Sequence, residues 1–149
     1  FGSFQLFPVD YRMMPRTTFT DPEVAHVGLN EQEAQQAGVA YETTCFNLAE
    51  LDRAITEDAA HGYIQVLTAP GKDRILGATI VGEQAGELIT EYVSAMKQGY
   101  GLNKILGTIH VYPTLSEANK YVAGEWKRNH APQRVLSWLA RFHQWSLGR

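Results

Sequence analysis

The sequence has 149 residues, of which 44% are hydrophobic and 19% are charged, and its formal net charge is −3. This size and composition predict one water-soluble globular domain and exclude a disordered chain, and the single cysteine excludes an internal disulfide and a CxxC metal or redox motif. No apolar run of 18 residues and no basic-then-apolar leader is present, so we expect neither a spanning helix nor a signal peptide, and the expected location is cytoplasmic.

The N-terminal part of the chain reads as a lead-in followed by a strand, a turn and a short helix. Residues 1–15 show no sustained period, and we interpret them as the connection from a preceding domain. A β-like run over residues 16–20 leads into a turn at residues 21–23, because Pro22 interrupts a central strand. Asn30 is a favoured N-cap residue three positions before Glu33, and Gly38 follows the helix that they predict.

The middle of the chain predicts a small antiparallel sheet. Residues 41–48 are rich in aromatic and β-branched side chains, and residues 62–69 and 74–81 form a hairpin pair around the turn at residues 70–73. With the run at residues 16–20, this gives three or four antiparallel strands. Cys45 lies inside one of these strands, and we expect it to be a small buried side chain.

Helices dominate the remainder. Apolar residues recur with helical spacing over residues 83–98, and Gly99 follows that helix. A short helix is expected at residues 103–106, a longer one at residues 114–128, and an amphipathic one at residues 133–145, after Pro132.

Strands followed by helices, without regular βαβ alternation, predict an α+β fold in which helices pack on one face of an antiparallel sheet. We divide the chain into the lead-in at residues 1–15, the domain proper at residues 16–128 and a C-terminal helical extension at residues 129–149.

The charges are distributed unevenly, which supports an alternative function. Residues 118–149 hold six basic and one acidic side chains, whereas residues 1–117 hold seven basic and 15 acidic ones. The alternative is a free-standing binding module whose cationic C-terminal helix binds a membrane surface or an acidic partner.

Four segments, in order, resemble the C-terminal dimerisation domain of the pyridine nucleotide-disulfide oxidoreductases. The resemblance covers roughly residues 15–128. The segments are TFTDPEVAHVGL at residues 18–29, ILGATIVG at residues 75–82, GELI at residues 86–89 and IHVYPTLSE at residues 109–117.

This resemblance implies a longer subunit with FAD and NAD(P)H domains on the N-terminal side, and a homodimer closed by the present domain. The chain has no GxGxxG after a strand and no CxxxxC pair, so the redox chemistry is expected elsewhere in the polypeptide. The isolated chain is expected to be inactive and to bind neither cofactor by itself.

The resemblance also suggests site residues in the segment at residues 109–117. Glutathione and dihydrolipoamide enzymes carry a catalytic histidine where this chain has Tyr112, and they support it with a glutamate where this chain has Glu117. His110 matches the residue that precedes the catalytic position. Because mercuric reductases carry a tyrosine in this region, Tyr112 favours a mercuric-reductase-like branch. Tyr112 and Glu117 are therefore the candidate catalytic residues, and Tyr112, Pro113 and Thr114 are the candidates to line the partner's flavin.

Structural interpretations of the same residues stay open. Thr114 and Glu117 also have the spacing of a capping box, and Tyr112 before Pro113 also suits an amphipathic core residue. The spacing of the five histidines does not predict a metal site. A self-sufficient enzyme that uses Tyr112 and Glu117 is a further alternative, without an accompanying nucleophile–base pair.

Overall fold

The computed structural model describes residues 11–131 and contains one five-stranded antiparallel sheet. The strand order is β1-β2-β5-β4-β3. The strands are β1 (Arg16–Thr18), β2 (Glu23–Gly28), β3 (Glu42–Asn47), β4 (Tyr63–Thr68) and β5 (Ile75–Gly82).

Five α-helices accompany the sheet. They are α1 (Glu31–Gln36), α2 (Asp52–Thr56), α3 (Ala85–Gln98), α4 (Leu102–Gly107) and α5 (Glu117–Asn129), and short 3₁₀ turns occupy Tyr11–Met13 and Leu48–Glu50.

Strand β2 shows that the expected count of three or four strands is too low. Pro22 stands immediately before β2, so it limits where this strand begins and does not interrupt it. Within β2, Ala25 and Val27 are fully buried, whereas Val24 is exposed. This alternation is the pattern of a strand with one face on the core.

The predicted caps of α1 are confirmed. The Asn30 side chain accepts a hydrogen bond from the Glu33 amide at 2.8 Å, and the Glu33 carboxylate accepts one from the Asn30 amide at 3.0 Å. Gly38 follows the helix with a φ of 64°, which a glycine adopts without steric cost.

The core lies between one face of the sheet and helices α3 and α5. On the sheet side, directly paired residues of neighbouring strands share this face, such as Ala25 with Ile80 and Phe46 with Ile64. On the helix side, the buried residues of α3 are Ala85, Leu88, Ile89, Tyr92 and Ala95, and the buried apolar residues of α5 are Ala118, Val122, Ala123 and Trp126. Each fully buried large side chain contributes about 1.5–3 kcal/mol to the free energy of unfolding, so this layer dominates stability.

The predicted α+β class is confirmed, and α1 adds one detail. Its Glu31 carboxylate accepts hydrogen bonds from Thr43 and Gln65, whose side chains point to the face opposite Thr44 and Val66. This short helix therefore lies across the second face of the sheet, whereas α3 and α5 cover the first.

Cys45 is exposed, so the expectation of a buried thiol is wrong. Its neighbours Thr44 and Phe46 occupy the core positions of β3, which leaves Cys45 on the second face. Partial burial and the nearby Glu31 carboxylate nevertheless raise the pKa of its thiol.

Two expectations concern the two ends of the chain. Most of the lead-in at residues 1–15 and most of the extension at residues 129–149, including the helix expected at residues 133–145, lie outside the described residues. Within residues 11–131, no helix is long and apolar enough to cross a membrane.

Candidate functional site

The candidate site is the loop at residues 108–116, which connects α4 to α5. Three of its apolar side chains are strongly exposed: Ile109 at 94%, Val111 at 73% and Tyr112 at 65% of their full area. Pro113 is also exposed, and Thr114 is partly exposed. The candidate cofactor-lining residues Tyr112, Pro113 and Thr114 are thus accessible from outside the domain.

Tyr112 lies at the surface, in contrast to its interpretation as an amphipathic core residue. Its phenol donates a hydrogen bond to Asp52 Oδ2 at 3.0 Å. That hydrogen bond and the Asp52 charge raise the pKa of Tyr112, with smaller contributions from partial burial, Glu117 and Tyr121. The phenol is consequently a hydrogen-bond donor at neutral pH.

Glu117 occupies a different environment from Tyr112. It is only 6% exposed, and its carboxylate accepts a hydrogen bond from the Thr114 amide at 3.3 Å. This is one half of the predicted capping box. The other half is missing, because the Thr114 hydroxyl lies at 2.6 Å from the Val111 carbonyl oxygen and 2.8 Å from Ser116 Oγ. Glu117 therefore fixes the backbone at the start of α5.

Asp52 is the site residue that sequence reasoning missed. The structure joins the Tyr112 phenol to Asp52, whereas the resemblance pairs position 112 with Glu117. Asp52 is the first residue of α2 and lies 60 positions before Tyr112 in the chain. No local sequence signal links two residues so far apart, so only the folded chain reveals the pair.

His110 anchors the loop from its buried side. Its side chain is 6% exposed, and its Nε2 lies at 3.1 Å and 3.2 Å from the two carboxylate oxygens of Glu91 in α3. Its Nδ1 lies at 3.1 Å from the Thr108 carbonyl oxygen. Asn119 of α5 extends this network, because its Nδ2 donates to Glu91 Oε2 at 2.9 Å and to the Leu88 carbonyl oxygen at 3.1 Å.

This network, which we name the His110 anchor (His110, Glu91 and Asn119), ties the loop to α3 and α5. Hydrogen bonds among largely buried polar groups favour one arrangement of the surrounding backbone. One acceptor of this network, Asn119 Oδ1, is buried without a hydrogen-bond partner. His110 is consequently engaged in a structural role, whereas the Tyr112 side chain is accessible from outside the domain.

A shallow cavity of about 170 Å³ adjoins the loop. Its lining residues are Thr114 and Leu115 of the loop together with Arg53, Glu57 and Gln84. Arg53 forms an ion pair with Glu57 along α2. The cavity carries both charge signs, so it does not by itself select an anionic or a cationic ligand.

No group of three potential ligand side chains comes together as a metal site would within residues 11–131. His26 contacts Thr79 and Gly28, and His130 contacts Glu42 and Trp126. Both histidines thus have partners from the protein.

Comparison with known families gives one match over most of the chain. The family model described as "Pyridine nucleotide-disulphide oxidoreductase, dimerisation domain" matches residues 14–123. This range contains the whole sheet, the loop and the first half of α5.

The curated relatives of this chain include dihydrolipoyl dehydrogenases. The chain is 41% identical over 110 residues to dihydrolipoyl dehydrogenase 3 of Haloarcula marismortui, a match that covers 74% of this chain and 23% of the relative. It is 44% identical over 115 residues to the mitochondrial dihydrolipoyl dehydrogenase of Dictyostelium discoideum, with 77% and 24% covered. The chain therefore spans about a quarter of the length of these relatives.

Solved structures give the same fold. LpdA from Mycobacterium tuberculosis matches with a TM-score of 0.74 and 28% identity, over 80% of this chain and 26% of that one. The HOCl-induced flavoprotein disulfide reductase RclA from Escherichia coli matches with a TM-score of 0.71 over 76% of this chain and 26% of that one, and its 21% identity supports a shared fold alone.

Proposed function

Because the chain belongs to the pyridine nucleotide-disulphide oxidoreductase dimerisation domain family, we propose that it forms the homodimer interface of an FAD-dependent NAD(P)H oxidoreductase. In this proposal, the loop of Tyr112, Pro113 and Thr114 reaches the flavin or disulfide site of the partner subunit. FAD and NAD(P)H bind to N-terminal domains of the same polypeptide, and the present chain binds neither by itself.

The observation that carries the proposal is the exposed apolar loop on a rigid base. Ile109 and Val111 are among the most exposed large apolar side chains of the described residues, and burying such a cluster is favourable for association. The His110 anchor holds the backbone beneath them. Association therefore requires little ordering of this loop, which lowers the entropic cost of binding.

The proposed site roles follow from the accessibility of each group. The Tyr112 hydroxyl donates its one proton to Asp52, so its oxygen accepts a hydrogen bond in the partner's site. The exposed surfaces of Tyr112, Pro113 and Thr114 line the flavin. Glu117 supports catalysis indirectly, because it holds the Thr114 backbone through its carboxylate. These roles rest on the loop geometry together with the resemblance at residues 109–117.

A tyrosine at position 112 favours a mercuric-reductase-like branch, whereas the relatives named above are dihydrolipoyl dehydrogenases. A phenol exchanges protons poorly at neutral pH compared with an imidazole. We therefore propose that the complete enzyme uses Tyr112 for hydrogen bonding in place of the proton transfer that a histidine performs in related enzymes.

Sedimentation velocity of the chain at tens of micromolar tests the interface. We expect a dimer for the wild type and a monomer for Ile109→Asp, because a buried unpaired carboxylate at the centre of the contact opposes association. Gln36→Asp in α1 is the control, since it adds the same charge at an exposed position on the second face of the sheet. A wild-type monomer, or an Ile109→Asp dimer, would contradict the proposed interface.

The polypeptide context supplies an independent test. The gene is expected to encode, ahead of Phe1, a GxGxxG motif followed by a CxxxxC pair in one reading frame with this chain. A gene without these motifs would overturn the oxidoreductase proposal, whatever the sedimentation result.

The alternative, a free-standing module with a cationic C-terminal helix, rests on residues 133–145, which lie outside the described part of the structure. Family membership does not favour it. A cytoplasmic location is also proposed, and a sequence with a single cysteine, free of any disulfide within the chain, is compatible with it.

A further inference from the structure

We propose that Asp52 is a positioning residue for Tyr112: its carboxylate accepts the hydrogen bond of the phenol and fixes where the phenol lies at the surface of the loop. The importance of this contact for catalysis rests on the proposed function. The contact itself is a property of this chain and can be tested without cofactor or substrate.

The position of the Asp52 carboxylate is fixed by α2. Leu51 immediately before it is 1% exposed, and Ala54 two residues later is fully buried, so the start of this short helix is bound to the core on both sides of Asp52. The carboxylate then projects to the surface and accepts the Tyr112 hydroxyl at 3.0 Å. Because the backbone on both sides of Asp52 is held in the core, its hydrogen bond restricts the position of the phenol more than a bond between two unrestrained surface side chains would.

The other carboxylate near Tyr112 is already engaged. Glu117 Oε2 accepts the Thr114 amide, and Glu117 is buried beneath the loop. Asp52 therefore takes the role of partner for the side chain at position 112, and Glu117 takes the role of support for the backbone. The resemblance assigns support of the side chain at position 112 to the glutamate, and here Asp52 makes that contact.

The charges around the phenol act in the same direction. Asp52 from α2 and Glu117 and Tyr121 from α5 are the ionisable groups that act on Tyr112, and each disfavours the phenolate. Neutralising Asp52 as asparagine removes its charge and leaves an amide oxygen as a weaker acceptor, so it acts on the two causes that contribute most to the raised pKa of Tyr112. The titration of this one phenol is consequently a direct measure of the Asp52 contact.

The test is a pH titration of the 149-residue chain labelled with ¹³C at tyrosine Cζ, followed by NMR. Tyr112→Phe identifies the Tyr112 resonance among the seven tyrosines. In Asp52→Asn we expect the titration midpoint of Tyr112 to move to lower pH, while the resonances of the remaining tyrosines keep their midpoints. A Tyr112 midpoint identical to that of the wild type would overturn the proposal.

Asp58→Asn is the matched control. Asp58 is exposed, follows the same helix α2, and has a φ of 57°, which asparagine also tolerates. This variant removes the same charge without removing the contact, so its Tyr112 midpoint should stay close to that of the wild type. Equal shifts in Asp52→Asn and Asp58→Asn would indicate a general charge effect and would overturn the specific role of Asp52.

Failure of this proposal is distinguishable from failure of the proposed function. The titration reports on a contact within one chain, whereas sedimentation reports on association between chains. A shifted Tyr112 midpoint in a monomeric protein would support the Asp52 contact and reject the interface.

Discussion

His110 and Tyr112 stand two residues apart in one loop, yet their side chains have opposite environments. His110 is buried against Glu91 and the Thr108 carbonyl, whereas the Tyr112 phenol is at the surface beside Asp52. The sequence marks both residues as candidates through the IHVYPTLSE segment. It does not reveal their partners, because Glu91 and Asp52 come from helices at other points in the chain.

Replacing His110 tests the structural role of the buried histidine. We expect His110→Ala to lower the free energy of unfolding by about 1–3 kcal/mol, because it leaves Glu91 without its histidine partner and frees the Thr108 carbonyl. His61→Ala removes an exposed histidine and should change the free energy by less than about 0.5 kcal/mol. Urea denaturation monitored by tryptophan fluorescence compares the two, and equal effects would argue against an anchoring role.

Cys45 shows that the type of a side chain alone does not predict which face of a strand it occupies. In β3 the core positions are Thr44 and Phe46, so a threonine points inward and a cysteine points outward. Because side chains alternate between faces, one residue of register decides the environment of each. The pairing of β3 with β4 sets that register, and the isolated β3 sequence does not contain it.

At the scale of elements, local signals predicted most helices of the described residues and missed the short helix α2. The caps of α1 and the apolar period of α3 are encoded within a few residues, which is why their positions were correct to about two residues. Helix α2 has five residues and begins after Leu51 without a side-chain cap, so it left no signal. Its Leu51 and Ala54 are nevertheless fully packed, and tertiary contacts stabilise it.

The close approach of β5 to the end of β2 gives a prediction about one glycine. A Cβ at Gly77 would overlap the backbone of Leu29, and backbone cannot move aside as a flexible side chain can. We expect Gly77→Ala to lower the free energy of unfolding by roughly 2 kcal/mol or more. Gly107→Ala, at the last residue of α4, meets open space and should leave stability unchanged or raise it slightly.

Urea denaturation of both glycine variants provides the comparison. A Gly77→Ala protein as stable as Gly107→Ala would mean that β2 and β5 can separate at little cost at this point. The glycine at position 77 would then need an explanation other than close packing.

At the scale of the whole molecule, the strand order brings the site together. Helix α2 follows β3 at one edge of the sheet, and the loop at residues 108–116 leads into α5, which packs on β3 and β4. This arrangement brings Asp52 next to Tyr112 although 60 positions separate them. A sequence motif identifies one half of the pair, and the topology supplies the other.

Membrane binding is a prediction that concerns the whole chain and its basic C-terminal part. We expect no flotation of the chain with vesicles that contain phosphatidylserine, because the proposed function requires no lipid contact. The binding-module alternative predicts retention that salt abolishes and that Arg134→Gln with Arg141→Gln weakens. Retention of this kind would favour the alternative.

The sequence by itself determined the α+β class, the amphipathic helices and the candidate loop, because helical periods, caps and motifs depend on residues within one or two turns of each other. Only the tertiary structure decided which carboxylate serves Tyr112, which side chain anchors the loop and which face Cys45 occupies. These outcomes depend on strand register and on packing between distant segments, and such contacts form when the chain buries its apolar surface as a unit.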